Sequence, residues 1–209
     1  CFLPQKEFEL VAKLYDLCRT IDDLADDSAN QEFAFTSLAT ILKKLNTGAT
    51  EFAWLQQHRI PKNAVKDLVK GAIFDIRLKQ ICDLEELKYY CYSVAGTIGL
   101  IMYDIMGLSD SNLKRAAIDL GIAMQLTNIC RDVIEDACRK RCYIPRTFYK
   151  IDCDNGCDAI LNNQDQVIKQ VKRLVLLSET YYASAATAFP KLPARWRFVI
   201  MLAAKLYKA

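Results

Sequence analysis

Gln125-Leu126-Thr127-Asn128-Ile129-Cys130-Arg131-Asp132-Val133-Ile134-Glu135-Asp136 is the stretch that decides the fold. Its polar residues Gln125, Asn128, Asp132 and Asp136 fall at i, i+3, i+7 and i+11, which on a helix return to nearly one angle. Leu120, Met124, Thr127 and Ile134 flank this stripe on one side, and Ile122, Leu126, Ile129 and Val133 lie on the other. A helix that is apolar on nearly every side is buried, so its acids must face an internal cavity or a partner. Buried carboxylates four residues apart repel each other and lose hydration, so something cationic must compensate. Hard oxygen ligands of this kind suit Mg²⁺, which binds a few carboxylates together with waters and substrate phosphates. Gly121, one turn before Gln125 on the same face, has no side chain and leaves room for a ligand.

A matching stripe lies near the start of the chain, where Tyr15, Arg19, Asp22 and Asp26 sit at i, i+4, i+7 and i+11. One stripe alone fits a structural salt-bridge network as well as a metal site, because Arg19 and Arg131 are close enough in sequence to neutralise the acids. Two matched stripes favour the metal site. They predict that Asp22, Asp26, Asp132 and Asp136 converge on one cavity, with their helices facing each other.

Nearly every other segment also reads as helix, with no convincing strand alternation. Pro4 opens a first helix, and a second covers Asn30 to Leu45. A third runs from Pro61 to about Ile81. Asp83 with Glu86 forms a capping box for a fourth that ends near Gly107. The fifth begins at Ser109 to Asn112 and reaches about Ala137. After a polar stretch with Pro145 and Gly156, long helices follow from Gln164 to Ala188 and from Ala194 to Lys208. Short loops without repeats predict one all-α bundle over residues 1–209.

The totals exclude other classes. A net charge of +3 is too small to argue for nucleic acid. Arg139, Lys140 and Arg141 are better explained as a flap over anions. The apolar run Val94 to Met106 is interrupted by Asp104 and is too short to span a membrane. Nine scattered cysteines fit reduced thiols in a cytoplasmic protein. Cys138/Cys142 and Cys153/Cys157 lack the spacing of common zinc sites, and His58 is the single histidine.

These residues also carry a family resemblance. The stretch from Tyr15 to Asp27 resembles the first aspartate-rich motif of squalene and phytoene synthases, and Gln125 to Asp136 resembles the second. Tyr90-Cys91-Tyr92-Ser93-Val94-Ala95-Gly96-Thr97-Ile98-Gly99 is similar to the tyrosine and VAGT(V/I)G segment, and Arg141-Cys142-Tyr143-Ile144-Pro145 to the basic flap. The wording around Asp22 and Asp132 looks most like the phytoene and dehydrosqualene synthases. VAGTIG and the spacing of Asn128, Asp132 and Asp136 set the chain apart from head-to-tail elongases and terpene cyclases.

The resemblance implies an all-α isoprenoid-synthase bundle with a central cavity. It implies head-to-head condensation of two prenyl diphosphates, farnesyl or geranylgeranyl, through a cyclopropyl diphosphate. Asp22, Asp26, Asn128, Asp132 and Asp136 would hold Mg²⁺. Arg19, Gln125, Asn128, Arg131, Arg141 and Tyr143 would hold the substrates. Tyr15, Arg19, Tyr90, Arg131 and Tyr207 would serve catalysis, the tyrosine faces steadying a carbocation. NADPH would enter only if the product were squalene. Peripheral membrane contact would help product release; oligomeric state, chain length and product are left open. The alternative is a non-catalytic assembly factor or scaffold on the same fold. The chain reads as lacking the family's usual N-terminal segment and closing C-terminal helix. Cys138 to Pro145 is expected to be a mobile flap, poorly ordered without ligand.

Overall fold

Helix boundaries follow from local chemistry where the capping residues are present. In the computed structural model, which describes residues 4–26, 30–151 and 155–208 (less the side chains of 203 and 206–208), the first helix α1 covers Gln5–Asp26. The Asn30 side chain accepts from the Phe33 amide to open α2 (Gln31–Thr47). Gly48 closes that helix in the left-handed region, at φ 73°, with its amide on the Lys44 carbonyl. A short turn and α3 (Ala53–Gln57) lead to α4 (Lys62–Ile76). Asp83 accepts from the Glu86 amide at the start of α5 (Leu84–Cys91), and Glu86 reaches back to the Cys82 amide.

Two of the long predicted helices are interrupted. The fourth is α5, a π turn over Tyr92–Gly96, and α6 (Thr97–Ile105). The fifth is α7 (Ser111–Arg131) followed by α8 (Val133–Cys138), with Asp132 at φ −100°, ψ 14° between them. Helical hydrogen bonding carries through that break, from the Asp132 amide to Asn128 at 2.9 Å and from the Asp136 amide to Asp132 at 2.8 Å. The polar stripe therefore survives the kink. The chain continues through α9 (Cys157–Leu161), α10 (Gln164–Ala186) and α11 (Ala194–Lys208).

The third predicted helix stops five residues short, at Ile76. Residues 79–82 are extended instead and pair with the segment after α8. Cys142 donates to the Lys79 carbonyl at 2.8 Å, Ile81 to Cys142 at 3.0 Å, and Arg146 to Ile81 at 2.8 Å. Among the described residues the only β feature is the parallel bridge between Gln80 and Cys142. Within the expected flap Cys142, Tyr143, Ile144 and Pro145 are buried, so this half is packed against the bundle, whereas Cys138, Arg139 and Lys140 are exposed.

The core has three parts. Leu14, Ile21, Leu38, Leu45, Val65 and Ile101 join α1, α2, α4 and α6. Leu87, Leu126, Ile144 and Leu174 join α5, α7, the extended segment and α10. Tyr103, Leu113 and Leu192 close the end toward α11. Each fully buried aliphatic side chain contributes roughly 1.5–3 kcal/mol. α10 lies along α7, pinned where Ser184 donates to Asp119 at 2.6 Å and Thr127 meets the Tyr182 hydroxyl at 3.1 Å. At the start of α11, Arg195 pairs with Glu7 of α1 at 2.8 Å. Among the described residues no helix is long and apolar enough to cross a membrane.

Candidate active site

α6 and α7 lie against each other backbone to backbone. A Cβ on Gly121 would collide with the Ala95 carbonyl, and one on Gly99 with the Ala117 carbonyl. This close approach aligns small residues along one wall of a cavity of about 400 Å³. Ile98 and Met102 of α6, with Met106 just after it, line the cavity together with Leu120 and Met124 of α7 and with Phe189, Val199 and Ile200. Gln125 and Asn128 are the polar residues of this lining. The Asn128 Oδ1 atom is buried and has no hydrogen-bond partner. An acceptor left without a donor costs free energy, so it marks a place where a cation or a donor from a ligand belongs.

One turn beyond Asn128 the chemistry changes from apolar to charged. Asp132 is held by Arg131, whose Nε and Nη2 donate to its two oxygens at 2.7 Å each. Asp136 is half-buried, and its carboxyl is pushed up to about 7 by burial, then by Asp132 and Asp75, against the opposing pull of Arg139 and Arg141. On α1, burial and the neighbouring Asp26 and Asp23 likewise raise Asp22. Arg19 pairs with Asp23 at 3.1 Å in an exposed contact, and its charge partly offsets the rise at Asp22.

The two stripes meet around a residue in neither motif. Asp75 of α4 is 7 % exposed. It accepts from Arg141 Nη1 at 2.8 Å through one oxygen and from the Tyr143 hydroxyl at 2.6 Å through the other. Burial raises its carboxyl, and Arg141, Tyr143 and Tyr90 pull it back. Its charge raises both Asp22 and Asp136, so it stands between the stripes. Arg141 also reaches Asp26 at 3.3 Å and the Ala25 carbonyl at 3.1 Å. Tyr143 stacks on Tyr90 with ring centres 5.0 Å apart.

Arg141 is aimed inward by the end of α8. Lys140 has φ 61°, its amide donates to Ala137, and the Arg141 amide donates to Asp136. These bonds form a Schellman cap with lysine where glycine is usual. Arg139 points back toward Glu135 at 2.8 Å and Asp26 at 3.9 Å.

Comparison with known proteins shows the family of the chain. The sequence profile of the squalene/phytoene synthase family matches residues 1–209. The chain is 33 % identical to a phytoene synthase of Pseudescherichia vulneris, over 95 % of its length and 71 % of the relative's. It is also 33 % identical to the 15-cis-phytoene synthase of Enterobacter agglomerans, over 95 % and 74 % of the two chains. The chain belongs to the squalene/phytoene synthase family. A solved dehydrosqualene synthase superposes at TM-score 0.81 and 26 % identity, covering 99 % of this chain and 76 % of that one. A squalene synthase from Alicyclobacillus acidocaldarius superposes at 0.79 with 21 % identity, covering 99 % and 82 %, which shows the shared fold. The protein is a prenyltransferase of this family.

Within this squalene/phytoene synthase fold, the structure brings together Asp22, Asp26, Asp136, Arg141, Tyr143 and Tyr90. Gln125 and Asn128 stand at the cavity. The four aspartates do not line that cavity, a correction to the expectation of one shared lining. Asp22, Asp26 and Asp136 gather with Asp75 and Arg141, and Asp132 adjoins them beside Asp136. Among the described residues no three acidic, histidine or cysteine side chains stand close enough to hold a metal by themselves. Tyr15 is 65 % exposed. The Tyr207 side chain and Cys153 lie outside the described residues. Asp75 was missed by motif reading. The signal that could have found it is its position seven residues after Leu68, on the buried face of α4.

Proposed function

We propose that this family member joins two prenyl diphosphates head to head through a cyclopropyl diphosphate, with Mg²⁺ at the acid belt. The observation that carries the reading is the buried, unpartnered Asn128 Oδ1 at the junction of apolar cavity and charged belt. Asp22, Asp26, Asn128, Asp132 and Asp136 form an all-oxygen donor set of the kind that fits Mg²⁺. Acids held above their ordinary range, as Asp22 and Asp136 are, also gain from a cation. Bound there, Mg²⁺ would neutralise the charge that grows on the departing diphosphate.

The chain's own residues do the remainder. Arg141, with Arg19 on the first stripe and Arg131 beside the second, supplies positive charge for diphosphate oxygens. Gln125 orients a diphosphate oxygen. The apolar wall from Ile98 to Met106 excludes water from the allylic cation. In the first half-reaction one diphosphate leaves, the allylic cation it leaves behind bonds to the double bond of the second substrate, and loss of a proton supplies the electron pair that closes the cyclopropane. In the second the cyclopropyl diphosphate loses its own diphosphate and rearranges. Proton loss then ends the sequence in a phytoene- or dehydrosqualene-type product without NADPH. Tyr90 and Tyr143 are hydrogen-bonded to Asp75 and stack on each other beside the acid belt. Exposed Phe198, Met201 and Leu202 on α11 suit contact with a membrane that receives the apolar product.

The test is mass spectrometry of products from farnesyl and geranylgeranyl diphosphate, with and without Mg²⁺ and NADPH. The reading expects a linear C30 or C40 hydrocarbon with Mg²⁺ and no NADPH. Release of diphosphate without a coupled hydrocarbon would overturn it.

A further inference from the structure

Arg141 is shared between two carboxylates of unlike character. Asp26 is an exposed partner, with 59 % of its side chain in solvent, whereas the Asp75 side chain is 10 % exposed. The same Nη1 serves both, at 3.3 Å and 2.8 Å. Attraction in a half-dry site is several times stronger than at the surface. The Asp75 contact is therefore the lasting one and the Asp26 contact the exchangeable one.

Stability alone gives a poor account of this pair. A buried ion pair is often no more stabilising than apolar residues of equal volume, because both charges must be dehydrated. Asp75 spends both oxygens on one short segment, one on Arg141 and one on Tyr143, which lie 66 and 68 residues away in sequence. The fork of Arg141 is fixed from a third direction by the Ala25 carbonyl. The result is a guanidinium held at one spot beside the acid belt before any ligand arrives.

We infer that Asp75 is a positioning residue for the diphosphate site: it anchors Arg141 and Tyr143 from within, so that Asp26 can be released to a cation while the guanidinium stays in place for a phosphate. This inference rests on the reading of the acid belt as a diphosphate site. In the free protein Arg141 balances Asp26. On binding, Asp26 exchanges its guanidinium for the incoming cation, and the freed N–H donor turns to a phosphate oxygen without the arginine leaving the rim.

The test uses the full chain with Mg²⁺ and inorganic pyrophosphate as the probe, by calorimetry, alongside steady-state kinetics with a prenyl diphosphate. Asp75→Asn keeps the volume and the Tyr143 hydrogen bond but removes the charge that holds Arg141. Pyrophosphate affinity should fall at least about tenfold, the scale seen when residues supporting a metal site's ligands are changed. KM for the prenyl diphosphate should rise by a similar factor, with kcat changed far less. Asp75→Glu should recover part of the affinity. Arg141→Gln should show the same loss, and the double variant should be no worse than either single one. Unchanged pyrophosphate affinity in Asp75→Asn, with only a lower melting temperature, would overturn the inference. Should Asp75→Asn fail to fold, Arg141→Gln decides alone, because it leaves Asp75 in place; wild-type affinity there overturns the inference equally. A wild-type chain that binds pyrophosphate through this anchor but makes no hydrocarbon would refute the proposed function and leave the anchor standing.

Discussion

Replacing Asp136 by asparagine should make the ligand-free protein more stable, and the gain should depend on pH. Asp136 is raised from 3.8 to about 7 by burial, Asp132 and Asp75. Each pH unit corresponds to about 1.36 kcal/mol, so the full shift would amount to ~4 kcal/mol. The group is only half-buried, and screening by solvent reduces this to about 1–2 kcal/mol. The sign follows from the raised value. The folded chain holds its proton more tightly than the unfolded chain, so this contribution is complete below about pH 4 and is lost as pH rises through about 7. Asparagine, always neutral, does not lose it. The two proteins should melt together near pH 4, and the variant should melt about 2–6 °C higher at pH 8. Thermal melts by circular dichroism from pH 4 to 8.5 with a chelator measure this directly. With Mg²⁺ and pyrophosphate the order should reverse, because a ligand at a hundred times its Kd stabilises the wild type by about 2.7 kcal/mol. An Asp136→Asn protein that melts lower than wild type at pH 8, or whose advantage does not shrink toward pH 4, would refute the reasoning.

Asp132→Asn should abolish turnover while changing apo stability by less than about 1 kcal/mol, since the Arg131 partner it loses is an exposed side chain; activity and melting temperature check both halves. Lys140→Gly should raise stability by up to ~1 kcal/mol by removing a left-handed lysine, read as a shift in the denaturant midpoint. Gly121→Ala should destabilise by about 2 kcal/mol, because the methyl meets the Ala95 carbonyl and lies 3.0 Å from Gly96 Cα, and this outweighs the roughly 1 kcal/mol of helix propensity gained; chemical denaturation measures it. The amides of Ile81, Cys142 and Arg146 should be protected from hydrogen exchange without any ligand, because the extended pairing already holds them.

Local chemistry made the helical class readable from the sequence. Asn30, Asp83 and Pro61 act within one turn, so their signals can be read from a few residues. The acid stripes were equally legible, since spacing alone puts Asp22 with Asp26 and Asp132 with Asp136. The end of α4 was not. Residues 79–82 carry apolar spacing that continues a helix, and only hydrogen bonds to a segment some sixty residues away pull them out of it. The turn after α8 was hidden for a different reason: its Schellman cap uses Lys140, so the usual glycine signal is missing. Asp75 lay within reach of a burial argument along α4. Its meaning did not, because Arg141 and Tyr143 become its partners only when the chain has folded.

The π turn between α5 and α6 has a consequence for how this chain tolerates change in length. The Thr97 amide bonds to the Tyr92 carbonyl five residues back, so the turn holds one residue more than an α-helix would. That residue offsets the two flanking helices by about 100° in angular phase. Leu87, Tyr90 and Cys91 before it can then point into one cluster while Ile98 and Met102 after it line the cavity. Deleting any single residue from Tyr92 to Gly96 would regularise the winding and spoil this division. One half would have to turn by about a quarter of a circle, taking either Tyr90 from Asp75 or Met102 from the cavity. Loops elsewhere can lengthen or shorten at little cost, but here the residue count itself sets which way the side chains face.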